Sequence, residues 1–241
     1  MEYEEFKAKL KEEFENINIS IKDEQSRMFY TYMEMLLDWN TKINLTSITI
    51  PSEIITKHFL DSVSVLEYIK EGDKVIDIGS GAGFPGVPIR IMKDCNMILM
   101  DSLNKRINFL KLLIEELKLE TVHAIHSRAE DMANDSLYRE KCDVAISRAV
   151  APLNVLLEYA LPFVKVGGKF ICMKGPNVKE ELECSKKALH ILGGRIEEIK
   201  TITLSKEMER NIVIIKKDKL TPKQFPRKAG KPGKEPIGAK R

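Results

Sequence analysis

The spacing of apolar residues changes once along this chain. Over residues 1–70 it is helical: Glu4–Phe14 and Glu24–Trp39 each carry one apolar stripe, and Pro51, followed by Ser52 and Glu53, opens a third helix predicted to run to about Ile69. Between the second and third lies W-N-T-K-I-N-L-T, Trp39 to Thr46, whose amides and hydroxyls predict a loop. From Gly72 onward short apolar runs alternate with helical segments: Lys74–Ile78, Met97–Met100, Val122–His126, Asp143–Ser147 and Lys169–Met173. Helices are predicted over Lys105–Leu117 and Leu153–Leu161. Five such repeats predict a parallel sheet with helical crossovers. Two longer runs, Arg195–Leu204 and Arg210–Lys216, are separated only by a turn and predict a terminal hairpin.

Composition narrows this picture in two ways. With 241 residues and 43% hydrophobic content the chain can bury one good core plus an extension. No apolar stretch has the length of a membrane span, and the opening M-E-Y-E-E-F is acidic where a secretory signal is basic, so a cytoplasmic protein is expected. The four cysteines, Cys95, Cys142, Cys172 and Cys184, form no C-x-x-C pair and have no histidine at metal spacing, so neither disulfides nor a metal is expected. Charge is lopsided. Residues 216–241 hold ten Lys or Arg and two acids, so a chain of net charge +3 carries +8 there and −5 in the rest. Four prolines and three glycines in that stretch argue for an extended segment able to lie along phosphates, or else for a solvated terminus. The expected organisation is a helical extension (1–70), an α/β domain (71–217) and a basic arm (218–241).

The densest chemical signal is V-I-D-I-G-S-G-A-G-F-P-G, Val75 to Gly86. Gly79, Gly81 and Gly83 directly follow a strand, where positive φ and a missing Cβ let backbone approach a ligand beside the free N–H groups of the next helix. A ligand carrying adenosine is expected. Gly81, Gly83 and Gly86 also fit the dinucleotide fingerprint, so NAD remains a rival. Asp77 favours a ligand with an ammonium group, as in S-adenosyl-L-methionine, over a pyrophosphate, and Pro85 favours a late helix start. The terminal hairpin points the same way, because five parallel strands, a helix and a hairpin form the order of a Rossmann-like class I S-adenosylmethionine-dependent methyltransferase, with a seven-stranded, mainly parallel sheet.

Ligands in such sheets lie beyond the strands' carboxyl ends, which can be searched in turn. Asp101 stands 18 residues past Gly83, near the spacing at which an acid meets ribose hydroxyls, and could equally cap the helix beginning near Asn104. In S-R-A-E-D, Ala129 and Glu130 could offer a backbone amide and a carboxylate to an adenine edge. S-R-A-V-A-P (Ser147–Pro152) and K-G-P-N (Lys174–Asn177) would border an acceptor pocket. That pocket lacks the Asn/Asp-Pro-Pro-aromatic sequence of exocyclic-amine methyltransferases and the Pro-Cys of the cytosine-C5 type. What remains is an acceptor with a ready lone pair, such as a guanine ring nitrogen, needing alignment rather than a base. Arg148 and Lys174 would orient guanine O6 or a flanking phosphate. His58 could face the cleft; His123, His126 and His190 suggest no role.

Taken in order, W-N-x-x-x-N-L-T, H-F-L-D-S, D-I-G-S-G-A-G-F-P-G, D-S-x-x-K-R, S-R-A-E, S-R-A and P-R-K-A-G-K-P-G-K-E-P closely resemble the glucose-inhibited division protein B family, from about Trp39 to the end. The resemblance implies a bacterial 16S rRNA guanine-N7 methyltransferase acting on the small ribosomal subunit, expected to be a monomer. It implies cofactor contacts at Gly79, Phe84, Ala129, Glu130 and Arg148, with Asp101 and Ser102 near the ribose, and it favours an RNA-contacting arm. RNA contacts are accordingly expected at Arg210, Arg227, Lys228, Lys231 and Lys234, and removal of the arm from Leu220 is expected to leave cofactor binding nearly intact. Two readings of other classes stand beside it: an NAD-binding oxidoreductase and a noncatalytic rRNA-binding module.

Overall fold

The computed structural model describes residues 1–148, 150–176, 178–205 and 208–238. Helices α1 (Tyr3–Glu15) and α2 (Asp23–Asn40) are followed by α3 (Pro51–Ile54), a π-helical stretch (Ile55–Leu60), α4 (Asp61–Val63) and a 3-10 turn (Leu66–Tyr68). The third helix predicted from the sequence is therefore broken. Its middle is wound wide, a feature that often marks a functional segment. The loop after α2 is built by Asn40, whose Oδ1 accepts from the N–H groups of Leu45 and Thr46, both at 2.9 Å.

The sheet follows: β1 (Lys74–Ile78), α5 (Gly86–Met92), β2 (Asn96–Asp101), α6 (Asn104–Glu116), β3 (Val122–His126), α7 (Ala129–Met132), β4 (Cys142–Arg148), α8 (Leu153–Ala160), β5 (Val164–Lys174), α9 (Val178–Leu192), β6 (Gly194–Ser205), β7 (Met208–Lys217) and α10 (Lys231–Lys234). Strand order is β3-β2-β1-β4-β5-β7-β6. Strands β1 to β5 pair in parallel, and β7 enters antiparallel between β5 and β6. The order reverses between β1 and β4, which places the ligand crevice at their carboxyl ends.

Alternation along the strands divides the core. Val75, Leu99, Val144 and Ile146 face the N-terminal helices, α5 and α6, in one cluster with Phe6, Phe14, Phe29, Tyr32 and Phe59. Ile76, Ile78, Met100 and Ala145 face α8 and α9 in a second. The helical extension has no core of its own, since its rings complete that of the sheet. The C-terminal segment also packs: Phe225 and Ile237 are buried in the second cluster. This corrects the expectation of an extended arm. No helix is long and apolar enough to cross a membrane among the described residues.

Candidate functional site: a cleft at the strand switch

Gly79, Gly81 and Gly83 have φ of 73°, 59° and 105°, as the turn requires. Their surroundings differ. A Cβ on Gly81 would meet nothing closer than the Gly79 oxygen at 4.0 Å, so open space lies above it. A Cβ on Gly83 would lie 2.7 Å from Tyr32 Oη, so this glycine admits α2 rather than a ligand. Tyr32 Oη donates to the Ala82 carbonyl at 2.6 Å, tying the helical extension to the turn.

Asp77 is also placed otherwise than expected. It shares a strand face with Val75, away from the cleft, and is fully buried. Its Oδ2 accepts from Gly86 N–H at 2.9 Å, while Oδ1 is buried with no partner. Burial raises its carboxyl to about 7, so it is a poor counter-ion for an ammonium and serves to anchor α5 to β1. The third glycine of the dinucleotide pattern, Gly86, is a packing residue: a Cβ there would fall 2.4 Å from Leu99 Cδ2.

Beside this turn a cleft of about 440 Å³ opens over β1, β2 and β4, within the range of small-molecule sites. Ile78 and Gly79 form one edge, Met100, Asp101 and Ser102 the next, and Ser127, Arg128, Ala129 and Glu130 the far end. Val150, Ala151, Pro152, Val155 and Tyr159 close the side toward α8, with Gly233 and Pro236 from the C-terminal segment. The Asp101 carboxylate does both jobs open to it: Oδ2 accepts from Gly81 N–H at 2.9 Å and Arg106 at 3.2 Å, Oδ1 from Leu103 N–H at 2.8 Å. It shapes the turn, starts α6, and keeps acceptor capacity at Oδ1. Glu130 is less free than expected, because its Oε1 accepts from Gly230 N–H at 2.8 Å. The cleft fits adenosine: apolar walls, a glycine cradle and an acid at the second strand's end.

The other expected side chains gather in a second cluster, outside the cleft. The Phe84 ring is stacked between Tyr32 (5.2 Å) and His58 (4.3 Å), with the Arg148 guanidinium 5.1 Å above it. Arg148 donates to Asp61 Oδ2 at 2.9 Å, to the Lys57 carbonyl at 3.1 Å and to His58 Nδ1 at 3.1 Å. Since Nδ1 accepts, His58 Nε2 carries the proton and donates to Thr46 Oγ1 at 2.8 Å. Burial and then Arg148 lower the His58 pKa to about 3. Arg210 holds the other Asp61 oxygen at 3.0 Å. Lys174 donates to the Ala151 carbonyl at 2.6 Å and pairs with Glu181 at 2.8 Å. Arg148 and Lys174 are thus committed within the protein, and Arg210 is tied to Asp61 through its Nε. Buried Asp61, at 0% exposure, is the physical reason for the two arginines, and Glu181 is the partner of Lys174.

Of the expected RNA contacts on the C-terminal segment, Arg227 is likewise engaged, by a fork on buried Glu158 with contacts from 2.6 to 3.1 Å. Lys228, Lys231 and Lys234 are exposed. Ala149 of S-R-A and Asn177 of K-G-P-N lie outside the described residues. Tyr159 and Val155 line the cleft without belonging to any motif, whereas Val150 sits in S-R-A-V-A-P and Gly233 and Pro236 in P-R-K-A-G-K-P-G-K-E-P, stretches expected to face the acceptor or RNA rather than the cofactor. Glu158 and Asp61 did leave a mark, as acids inside apolar helical runs, L-L-E-Y-A and H-F-L-D-S, where a buried partner is required.

The family model GidB, described as rRNA small subunit methyltransferase G, matches residues 25–213. A protein named ribosomal RNA small subunit methyltransferase G from Alkaliphilus oremlandii is 50% identical over 237 residues, covering 97% of this chain and 99% of its own length. The protein of that name from Clostridium novyi is 48% identical, with 92% and 93% covered. Among solved structures, TYW2 of Pyrococcus horikoshii in complex with MeSAdo superimposes with a TM-score of 0.51 at 16% identity, covering 66% of this chain and 61% of that one. Precorrin-6y C5,15-methyltransferase from Geobacter metallireducens gives 0.50 at 11% identity, covering 73% and 92%. Both likenesses are of fold.

Proposed function

This chain belongs to the rRNA small subunit methyltransferase G family, and from that premise we propose that it transfers a methyl group from S-adenosyl-L-methionine to N7 of a guanine in 16S rRNA. One observation supports the assignment of the cleft to the donor: it is bordered by Gly79 of the glycine turn, Asp101 and Ala129, at the point where strand order reverses. When bound, the donor supplies a methyl group on a positively charged sulfur. The chain's own residues hold and exclude. Gly79, Asp101 and Ser102 border the space assigned to it, the two polar side chains being the candidates for its ribose hydroxyls, and Met100, Val150 and Val155 form apolar walls.

Methylation of a neutral N7 releases no proton, so the step asks the site for alignment rather than for a general base. Alignment of two reactants can lower a barrier by about 7 to 11 kcal/mol without a base. The Arg148–Asp61–Arg210 cluster ties β4 and β7 to α4, and Arg148 also bonds Lys57 and His58 of the π-helical stretch, so that the elements beside the cleft are held to one another.

Small ribosomal subunits from cells lacking this protein, incubated with the purified chain and methyl-labelled donor, should yield label in 7-methylguanosine after nuclease digestion. Label confined to protein or to another nucleoside overturns the assignment. Gly81→Val, whose side chain enters the open space above the turn, should remove binding of S-adenosylhomocysteine in a calorimetric titration and, because φ there is 59°, should also lower the urea midpoint. Its far-ultraviolet circular dichroism should match the parent's.

A further inference from the structure

We infer that residues 225–238 are a wall of the cofactor cleft, held there by Arg227 on Glu158 and Gly230 on Glu130, and that Arg227 and Glu130 are positioning residues for S-adenosylmethionine. The inference rests on the assignment of the cleft to that donor. It replaces the view of the basic segment as an RNA arm independent of cofactor binding.

The segment is pinned at both ends and at two points between. Phe225 and Ile237 are 7% and 8% exposed and lie in the core beneath α8. Arg139 clasps the approach, donating to the carbonyls of Thr221 at 2.9 Å and Phe225 at 2.8 Å. Between these pins the Arg227 fork closes on Glu158, whose side chain is 1% exposed, and Arg227 N–H adds a further bond at 2.8 Å. Gly230 then turns at φ +80°, a left-handed conformation with nothing within 4 Å of its missing Cβ, so glycine is needed there for its backbone. That turn directs its N–H at Glu130.

Both anchoring carboxylates stand on elements that form the cleft. Glu130 lines it from α7, and Glu158 precedes Tyr159, which lines it from α8. Packing alone does not require this arrangement. A charge held at 1% exposure is costly unless paired, and here the pair positions backbone that borders a ligand space. Gly233 makes the point directly: a Cβ on it would meet only Tyr159 Oη at 3.9 Å, so it faces the cleft rather than the protein.

The test uses the full-length chain and S-adenosylhomocysteine in calorimetric titration, with unfolding in urea followed alongside. Gly233→Val should bind at least tenfold more weakly with an unchanged urea midpoint, since its side chain enters space that is empty in the free protein. Arg227→Ala should weaken binding at least tenfold, and Arg227→Lys, which cannot make the fork, should recover only part of it. In turnover the Arg227 variants should raise KM for the donor more than they lower kcat. Should Arg227→Ala fail to fold, Gly233→Val decides. Binding within twofold of the parent for Gly233→Val overturns the inference while leaving the donor assignment intact. A parent chain that binds no S-adenosylhomocysteine removes the assignment itself.

Discussion

Residues 1–68 meet the sheet through rings, whereas residues 218–238 meet it through carboxylates. At the first end Phe59 touches four aromatic neighbours, with centroids 6.4 Å from Phe6, 4.9 Å from Phe29, 5.3 Å from Tyr32 and 6.1 Å from Phe84. At the other, Phe225, Pro226, Pro232 and Ile237 are buried without a ring cluster of their own, and Glu130, Glu140 and Glu158 accept from the chain that passes over them. Apolar contact is non-directional and large, so it makes the first end part of the fold. Hydrogen bonds are directional and modest in net worth, so they make the second a precise but separable wall.

The largest expected effect lies at the first end. Phe59→Ala should destabilise the chain by about 3 to 5 kcal/mol, because the surrounding rings are held by other helices and cannot close the void. Urea unfolding measures this. A loss under about 1 kcal/mol would mean that the aromatic cluster is no more essential than the carboxylate anchors, and the contrast drawn here would dissolve.

These two styles of attachment also differ in how well the sequence announces them. Helical spacing marks α1 and α2, and the five strands and the terminal hairpin are found within a few residues of their predicted places, because burial of one face imposes a period. The same rule, applied once more, locates Asp77: in K-V-I-D-I it alternates with Val75, which sends its side chain to the helical face and away from the cleft. Asp101, Ser102 and Ala129 lie on the cleft, at strand ends that the sequence marks. The charged residues are less legible. Arg148, Lys174, Arg210 and Arg227 carry the right chemistry for phosphate or guanine, but the arginines pair with Asp61 and Glu158, far away in sequence, and no local pattern reveals a pairing across 149 positions such as Arg210 with Asp61.

A middle-sized effect separates two buried groups on the helical side. Burial and Arg148 lower His58 from 6.5 to about 3. Below pH 6.5 the unfolded chain takes up a proton that the folded one refuses, so stability present above 6.5 is lost down to about 3, by about 2 kcal/mol at pH 5. Asp77 runs the other way. Burial raises it from 3.8 to about 7, so its contribution is complete below 3.8 and is lost as pH rises through 7. From pH 7 to 5 the two changes oppose one another. His58→Gln should therefore grow more stable on acidification over this range relative to the parent, and Asp77→Asn less stable, each by about 2 kcal/mol in urea titrations. Identical pH profiles for both variants and the parent would refute the opposed pair.

The smallest effect on stability should come from the outer face of the C-terminal segment. Lys228, Lys231 and Lys234 are exposed there, and the one ion pair among them, Lys231 with Glu235 at 3.9 Å, is long and solvated. Replacing all three by alanine should leave the urea midpoint and S-adenosylhomocysteine affinity unmoved, since none of the three lines the cleft and surface pairs contribute little. RNA binding should change instead. If each lysine meets one phosphate of a single strand, the slope of log affinity against log salt should flatten by about 0.7 per lysine, or about 2 for the three. The inner face answers differently, because Gly233→Val removes cofactor binding without altering charge. An unchanged salt slope in the triple variant would assign the segment to the cofactor alone, whereas a flattened slope with normal cofactor affinity places two functions on opposite faces of one short stretch of chain.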